Sequence, residues 1–290
     1  MKVALDPYMF RTTPLTELPG LVADLGYSAI ELSPREDFIP FYKHPRANSA
    51  DIRAFKLSLA AADVEVATIL PLFRWAGPGE EARQAAVRYW RRSIQIAAEL
   101  GVPEMLSEFN GGPATPAECE ALFWRSMEDL LPDFEREGIR LVIEPHPNDF
   151  IEDGFAAVDM IRGINHPLVS FSYCAPHTFY MGGEIAGIME YAGDLLTHVH
   201  VADSFDFRGS SGLRYIVNIG AGGGVPVGVT PPRIHQHLDI GQGEVDWDTF
   251  FGTLTRLTFD GVMTVCIFAW EERARESSIY NLDEIRRRMG

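Results

Sequence analysis

A glutamate closes the apolar run "LVIEP", two histidines alternate in "THVHVAD", and a cysteine stands three residues before a histidine in "SYCAPHTF". These are side chains that move protons or hold metals, set at the ends of runs that read as β-strands. The side-chain period of an extended chain is two, so His198 and His200 point to one side, as do Glu144 and His146. A carboxylate inside an apolar strand, as Glu144 is, requires a cation or hydrogen-bond donors. The same pattern puts Glu31, Glu108, Cys174 and Cys266 at or near strand ends, with His177 and Asp203 just beyond. Six of the eight histidines fall at such ends or in the segment carrying His235 and His237. Each residue alone also has a structural reading. Paired histidines can be polar core groups, Glu144 can sit in a salt bridge, and a lone cysteine is often a small buried hydrophobe. Their gathering on one rim favours chemistry, and the Cys174–His177 corner reads as coordination with a neighbouring acid or substrate contact, not as a thiol nucleophile.

Something must bring these residues together. Strand-like runs ("KVALD", "SAIELS", "EVATIL", "EMLSEF", "RLVIEP", "LVSFSYC", "THVHVAD", "VMTVCIF") alternate with amphipathic segments throughout the chain. Gly closes three of the first four helical segments, as a helix C-terminus favours. Such alternation predicts a parallel sheet with helices outside it. The eight units match an α/β fold of the (β/α)₈ TIM barrel type, a single domain over residues 1–290, with reacting groups at the C-terminal strand ends. An open doubly wound sheet is the alternative, but the turn after the first strand, "DPYMFRTT", lacks a Gly-rich fingerprint. Residues 204–245 read as a long Gly- and Pro-rich loop or lid after strand 7. Its "GAGGG" lacks the Lys-Ser/Thr ending of a phosphate loop.

Composition narrows the function. The net charge of −16 argues against nucleic acid as a partner. The basic "RYWRR" (88–92) reads as a solvated helix face. No apolar run is long enough to span a membrane, and the start is too short in apolar residues for a signal peptide. The three scattered cysteines form no disulfide framework. The expectation is a cytoplasmic, reduced protein.

At "LVIEPHPNDF", "THVHVADS", "HLDIGQGEVDW" and "FDGVMTVCIF" the sequence resembles the xylose-isomerase-like TIM barrels, a superfamily of sugar isomerases and epimerases. The nearest likeness is to its inositol-catabolism and sugar-lyase branch. The resemblance implies a divalent metal held by a Glu after strand 5, an Asp after strand 6, a His after strand 7 and a Glu on strand 8. Glu144 and His200 fall on the first and third positions. The second and fourth fall on Cys174 and Cys266. A Glu144/Cys174/His200/Cys266 set is softer than an oxygen-rich one. It favours zinc, with manganese, magnesium or cobalt as alternatives. A site rebuilt from His146, His177 and Glu271 is the competing arrangement.

The resemblance further implies abstraction of a proton α to a carbonyl, giving an enediolate. Cys266 in place of an acid puts symmetric two-base epimerisation in doubt and favours isomerisation or β-elimination on a sugar, keto-sugar or cyclitol. His146 is the expected base near neutral pH, Glu144 acts beside it, and His177 serves as acid or hydroxyl binder. Arg208 can neutralise an anionic oxygen, and Tyr8 and Trp75 can pack against a ring. Glu31, His198 and His237 complete the expected substrate contacts. The partners expected are a small sugar or cyclitol and, through the helical shell, a second copy or a second subunit. The rival reading is a non-catalytic or partner-dependent barrel subunit.

Overall fold

The protein, as a computed structural model describing residues 1–112, 114–206 and 235–290, is a closed parallel barrel. Its strands are β1 (Lys2–Leu5), β2 (Ala29–Leu32), β3 (Glu65–Ile69), β4 (Glu104–Glu108), β5 (Arg140–Glu144), β6 (Val169–Cys174), β7 (Leu196–Val201) and β8 (Val262–Val265). They pair in chain order, and β8 closes onto β1 with Leu5 opposite Val265. Each lies within one of the predicted runs except β7, which begins one residue ahead of "THVHVAD", at Leu196.

Outside the barrel run α1 (Leu18–Asp24), α2 (Ser49–Ala62), α3 (Gly79–Leu100), α4 (Pro116–Glu137), α5 (Gly154–Ile164), α6 (Ile185–Ala192), α7 (Trp247–Arg256) and α8 (Ala274–Met289). Local chemistry sets their ends. Asn48 and Asp51 form a reciprocal capping box at the start of α2. Gly101 and Gly138 stop α3 and α4 at φ 78° and 66°, a region that glycine enters without a Cβ clash. α8 begins at Ala274, ahead of the predicted "IYNLDEIRRRM". The added "ARESS" has no apolar period, yet Ser277 and Ser278 are buried because Ser277 Oγ donates to Asp239 and Ser278 Oγ to the Ala274 carbonyl.

The main apolar core lies between barrel and helices. Trp75 belongs to it: fully buried, it stacks on Trp90 at 4.4 Å and donates Nε1–H to the Phe109 carbonyl at 3.0 Å. The expected ring contact from Trp75 is therefore corrected, since its indole faces the helical shell.

Inside the barrel a polar layer lies below the mouth. His198 Nδ1 is 2.7 Å from Glu104 Oε1, and its Nε2 is 2.9 Å from Thr264 Oγ1 and 3.2 Å from Glu31 Oε2. Thr68 Oγ1 donates to Glu104 at 3.0 Å. His198 precedes His200 by one strand repeat, so it points the same way but one layer deeper. It is fully buried and does not line the mouth, which corrects its expected substrate contact.

Candidate active site at the barrel mouth

The C-terminal strand ends surround a cavity of ≈ 130 Å³. Tyr8, Phe41, Leu70, Leu72 and Phe268 give it apolar walls. Asp6, Glu31, Glu108, Glu144, His146, His177, His200, His235 and His237 give it polar ones. Beyond Glu108 and His146 a more polar pocket of ≈ 440 Å³ opens, with the Arg74 guanidinium 4.6 Å above the Tyr42 ring.

His200 is the hub. Parallel pairing of β6 and β7 sets it opposite Cys174, and the inward period puts Glu144 beside it. Its Nδ1 is 2.9 Å from Glu144 Oε2, and its Nε2 is 2.9 Å from Glu31 Oε1. Burial pushes the His200 pKa down, but Glu144 and Glu31 overcome this and hold it well above the ordinary value. Burial pushes Glu31 up, and His200 and His198 outweigh it, bringing the carboxyl down to about 2.

One donor atom each from Glu144, Cys174 and His200 lie within 4.8 Å of one another. The implied divalent cation fits this corner. With its raised pKa His200 is an imidazolium that serves both carboxylates, and a cation bound in this corner would take the place of its Nδ1 proton. Glu31 on Nε2 would then hold the remaining proton, the usual carboxylate support behind a ligating histidine. Burial and the neighbouring Glu144 push the Cys174 thiol up to about 12, so a cation must displace its proton. Cys266 is buried after β8, its Sγ 3.9 Å from the Val201 carbonyl, and among the described residues it does not join the trio within that distance. The expected four-ligand set is thus brought together in three of its members.

Four further imidazoles line the cavity. Ring centroids are 4.4 Å apart for His146–His177, 4.6 Å for His177–His235 and 5.0 Å for His146–His235. His237 lies flat on Phe268 at 4.3 Å, with Nδ1 2.7 Å from the Cys266 carbonyl. Burial, then the other imidazoles, hold His177 and His235 well below the ordinary value, so both stay neutral. Burial also brings His237 down to about 3. His177 Nδ1 lies 3.3 Å from Glu144 Oε1 without making a hydrogen bond. A neutral His177 suits a hydroxyl binder and not an imidazolium acid.

His146, half-buried, has its Nε2 3.6 Å from Glu108 Oε1. Burial raises the pKa of Glu108, and that of Asp149 is raised well above the usual range by burial and by Glu108. Glu271 pairs with Arg11 at 2.9 Å and does not line the cavity; His235 completes the imidazole trio instead. Arg208, and most of the 204–245 segment, lie outside the described residues.

Asp6, Ser33 and His235 line the cavity without having been assigned roles from sequence, and neither had Glu108. For Asp6 the signal was present: an acid directly after the apolar run "VAL", as Glu144 follows "LVI".

Residues 19–280 match the family described as a xylose isomerase-like TIM barrel. No curated protein matches the sequence. Among solved structures, a D-psicose 3-epimerase with D-tagatose from Clostridium cellulolyticum H10 is 14% identical with a TM-score of 0.76, the match covering 100% of this chain and 99% of that one. A zinc-bound IolI protein is 16% identical at 0.77, covering 100% and 98%. The 3-keto-D-glucoside 4-epimerase of E. coli is 18% identical at 0.74, covering 99% of each. At these identities the likeness is one of fold.

Proposed function

The chain belongs to the xylose isomerase-like TIM barrel family, and from that membership and the mouth's geometry we propose a metal-dependent isomerase, epimerase or lyase that abstracts a proton α to the carbonyl of a sugar, keto-sugar or cyclitol. The observation carrying this reading is His200, held between Glu144 and Glu31 beside Cys174 in a cavity lined by both apolar and polar side chains. A ring with hydroxyls on its edges and C–H groups on its faces suits such a cavity.

Glu144, Cys174 and His200 would hold the divalent cation, zinc being favoured by the thiol. Bound there, it would supply Lewis-acid polarisation of the substrate carbonyl, worth several kcal/mol. His146 takes the proton from the carbon next to that carbonyl, and the C–H electron pair moves into the new C=C bond of an enediolate. Glu108, behind His146, stabilises the imidazolium that forms. Neutral His177 and His237 orient substrate hydroxyls. Tyr8 and Phe268, with ring centroids 5.1 Å apart, cover the apolar face.

A second reading places the cation on His146, His177 and His235, whose nitrogens also lie within 4.8 Å of one another. Metal analysis of protein purified without chelator separates the two. The first reading expects one zinc per chain, lost in Cys174→Ser and kept in His235→Ala. The opposite pattern moves the cation to the imidazoles. Activity is tested in D₂O with D-fructose, D-tagatose and D-psicose as probes. Deuterium appearing next to the carbonyl by NMR is the expected result. No exchange with these or with keto-cyclitols overturns the reading.

A further inference from the structure

The resemblance calls for an acid at the end of strand 8, where this chain has Cys266, yet the barrel closure sets a carboxyl one strand over. Leu5 pairs with Val265, and Asp6 N–H donates to the Val265 carbonyl at 2.9 Å. Asp6 is therefore the neighbour of Cys266 on the adjacent strand, at the same height, and it lines the cavity. Only 1% of it is exposed. Its Oδ1 accepts from Tyr8 N–H at 2.9 Å and from Ser33 Oγ at 2.7 Å, which fix the carboxyl plane. Its Oδ2 is buried, with no hydrogen-bond partner among the described residues. Buried carboxyl oxygens rarely go unpartnered, and one that does calls for an explanation. A structural acid would spend both oxygens on the fold; this one leaves an oxygen for something absent from the protein.

Position supplies the rest. His146 follows β5, and β5 lies four strands from β1 around the eight-stranded barrel, on the opposite side of the mouth. A ring between them would meet His146 on one face and Asp6 on the other. We propose that Asp6 is the second proton-transfer residue, acting through Oδ2 on the substrate face opposite His146, so that the site inverts a carbon next to the carbonyl.

This inference rests on the proton abstraction proposed above. His146 removes the α proton from one face, and the C–H electron pair enters the enediolate. Protonated Asp6 then gives its proton to the same carbon from the other face, and the electron pair returns to form the new C–H bond. Asp6 ends as carboxylate and His146 as imidazolium; exchange with water restores both. The reverse reaction exchanges their roles, with no oxidant or further reactant.

The test follows two readouts in D₂O with D-fructose, D-tagatose and D-psicose: deuterium entering next to the carbonyl, and formation of the epimer. Asp6→Asn retains an Oδ1 acceptor for Tyr8 and Ser33. It is expected to keep exchange driven by His146 while epimer formation falls by about 10²–10⁴-fold, the usual contribution of a proton-transfer group. Epimer formation left near the wild-type rate overturns the proposal, as does an equal loss of both readouts in a variant that melts like the wild type. If Asp6→Asn fails to fold, Asp6→Ala with added formate takes its place: recovery of epimer formation supports the assignment, and no recovery overturns it. A wild type with neither readout refutes the proposed function itself, an outcome distinct from a wild type that is active whatever stands at position 6.

Discussion

His200 and Asp6 show opposite ways for a buried mouth to handle charge. In the metal-free protein His200, raised by Glu144 and Glu31, stabilises the fold fully below its unfolded value of 6.5, and the effect is lost as pH rises through its higher folded value. Glu31, lowered to about 2, contributes above its unfolded 4.5, and this is lost as pH falls through 2. The pair holds the strands most firmly between those unfolded values. Asp6 runs the other way. Burial and then Glu31 raise it from 3.8 to about 7, so it costs stability increasingly as pH rises across that interval. Asp6→Asn is expected to stabilise the protein at pH 8 by on the order of 1–3 kcal/mol and to change little at pH 4. Thermal melts at the two pH values read this out. A group kept at a stability cost is what a reacting residue looks like.

At the scale of elements, the return segment after β7 depends on one carboxylate. Asp203 accepts from Gly241 N–H at 2.7 Å, Val245 N–H at 3.1 Å, Trp247 Nε1–H at 2.9 Å and Ser204 N–H at 2.9 Å, and its backbone pairs with Leu238. These bonds carry His235 and His237 back over the mouth. Asp203→Ala strands several buried donors, so a loss of about 3 kcal/mol or more is expected, near 6–12 °C in Tm. Turnover should fall with it, although Asp203 does not line the cavity. Gly243→Ala probes the same contact. Its Cβ would meet Ser204 O at 2.5 Å, a backbone atom that cannot swing aside, and a milder loss of Tm is expected.

Across the whole molecule, the polar layer under the site ties β2, β3, β4, β7 and β8 through the barrel interior. Glu31, Thr68, Glu104, His198 and Thr264 satisfy one another where water does not reach. Removing one partner of such a buried network leaves an unpaired charge. His198→Ala is therefore expected to cost about 3–5 kcal/mol, seen as a lower denaturation midpoint in one cooperative transition. A residue that only touched substrate would leave the midpoint in place and weaken binding instead.

The sequence by itself determined the alternation of eight strand and helix units, the helix stops at Gly101 and Gly138, and the acids, thiols and imidazoles at the strand ends. Those features follow from period, capping and local backbone preference, all of which act within a few residues. Depth along the barrel axis was not legible. Both histidines of "THVHVAD" point inward, but only the closed barrel puts His200 at the mouth and His198 in the layer beneath. Nor was it legible that Trp75 would turn outward against Trp90. The pairing of β1 with β8 joins opposite ends of the chain and sets Asp6 next to Cys266. The return after β7 brings His235 to His146 and His177. Tertiary closure decided these, because neighbours so far apart in the chain meet only once strand register and barrel geometry are complete.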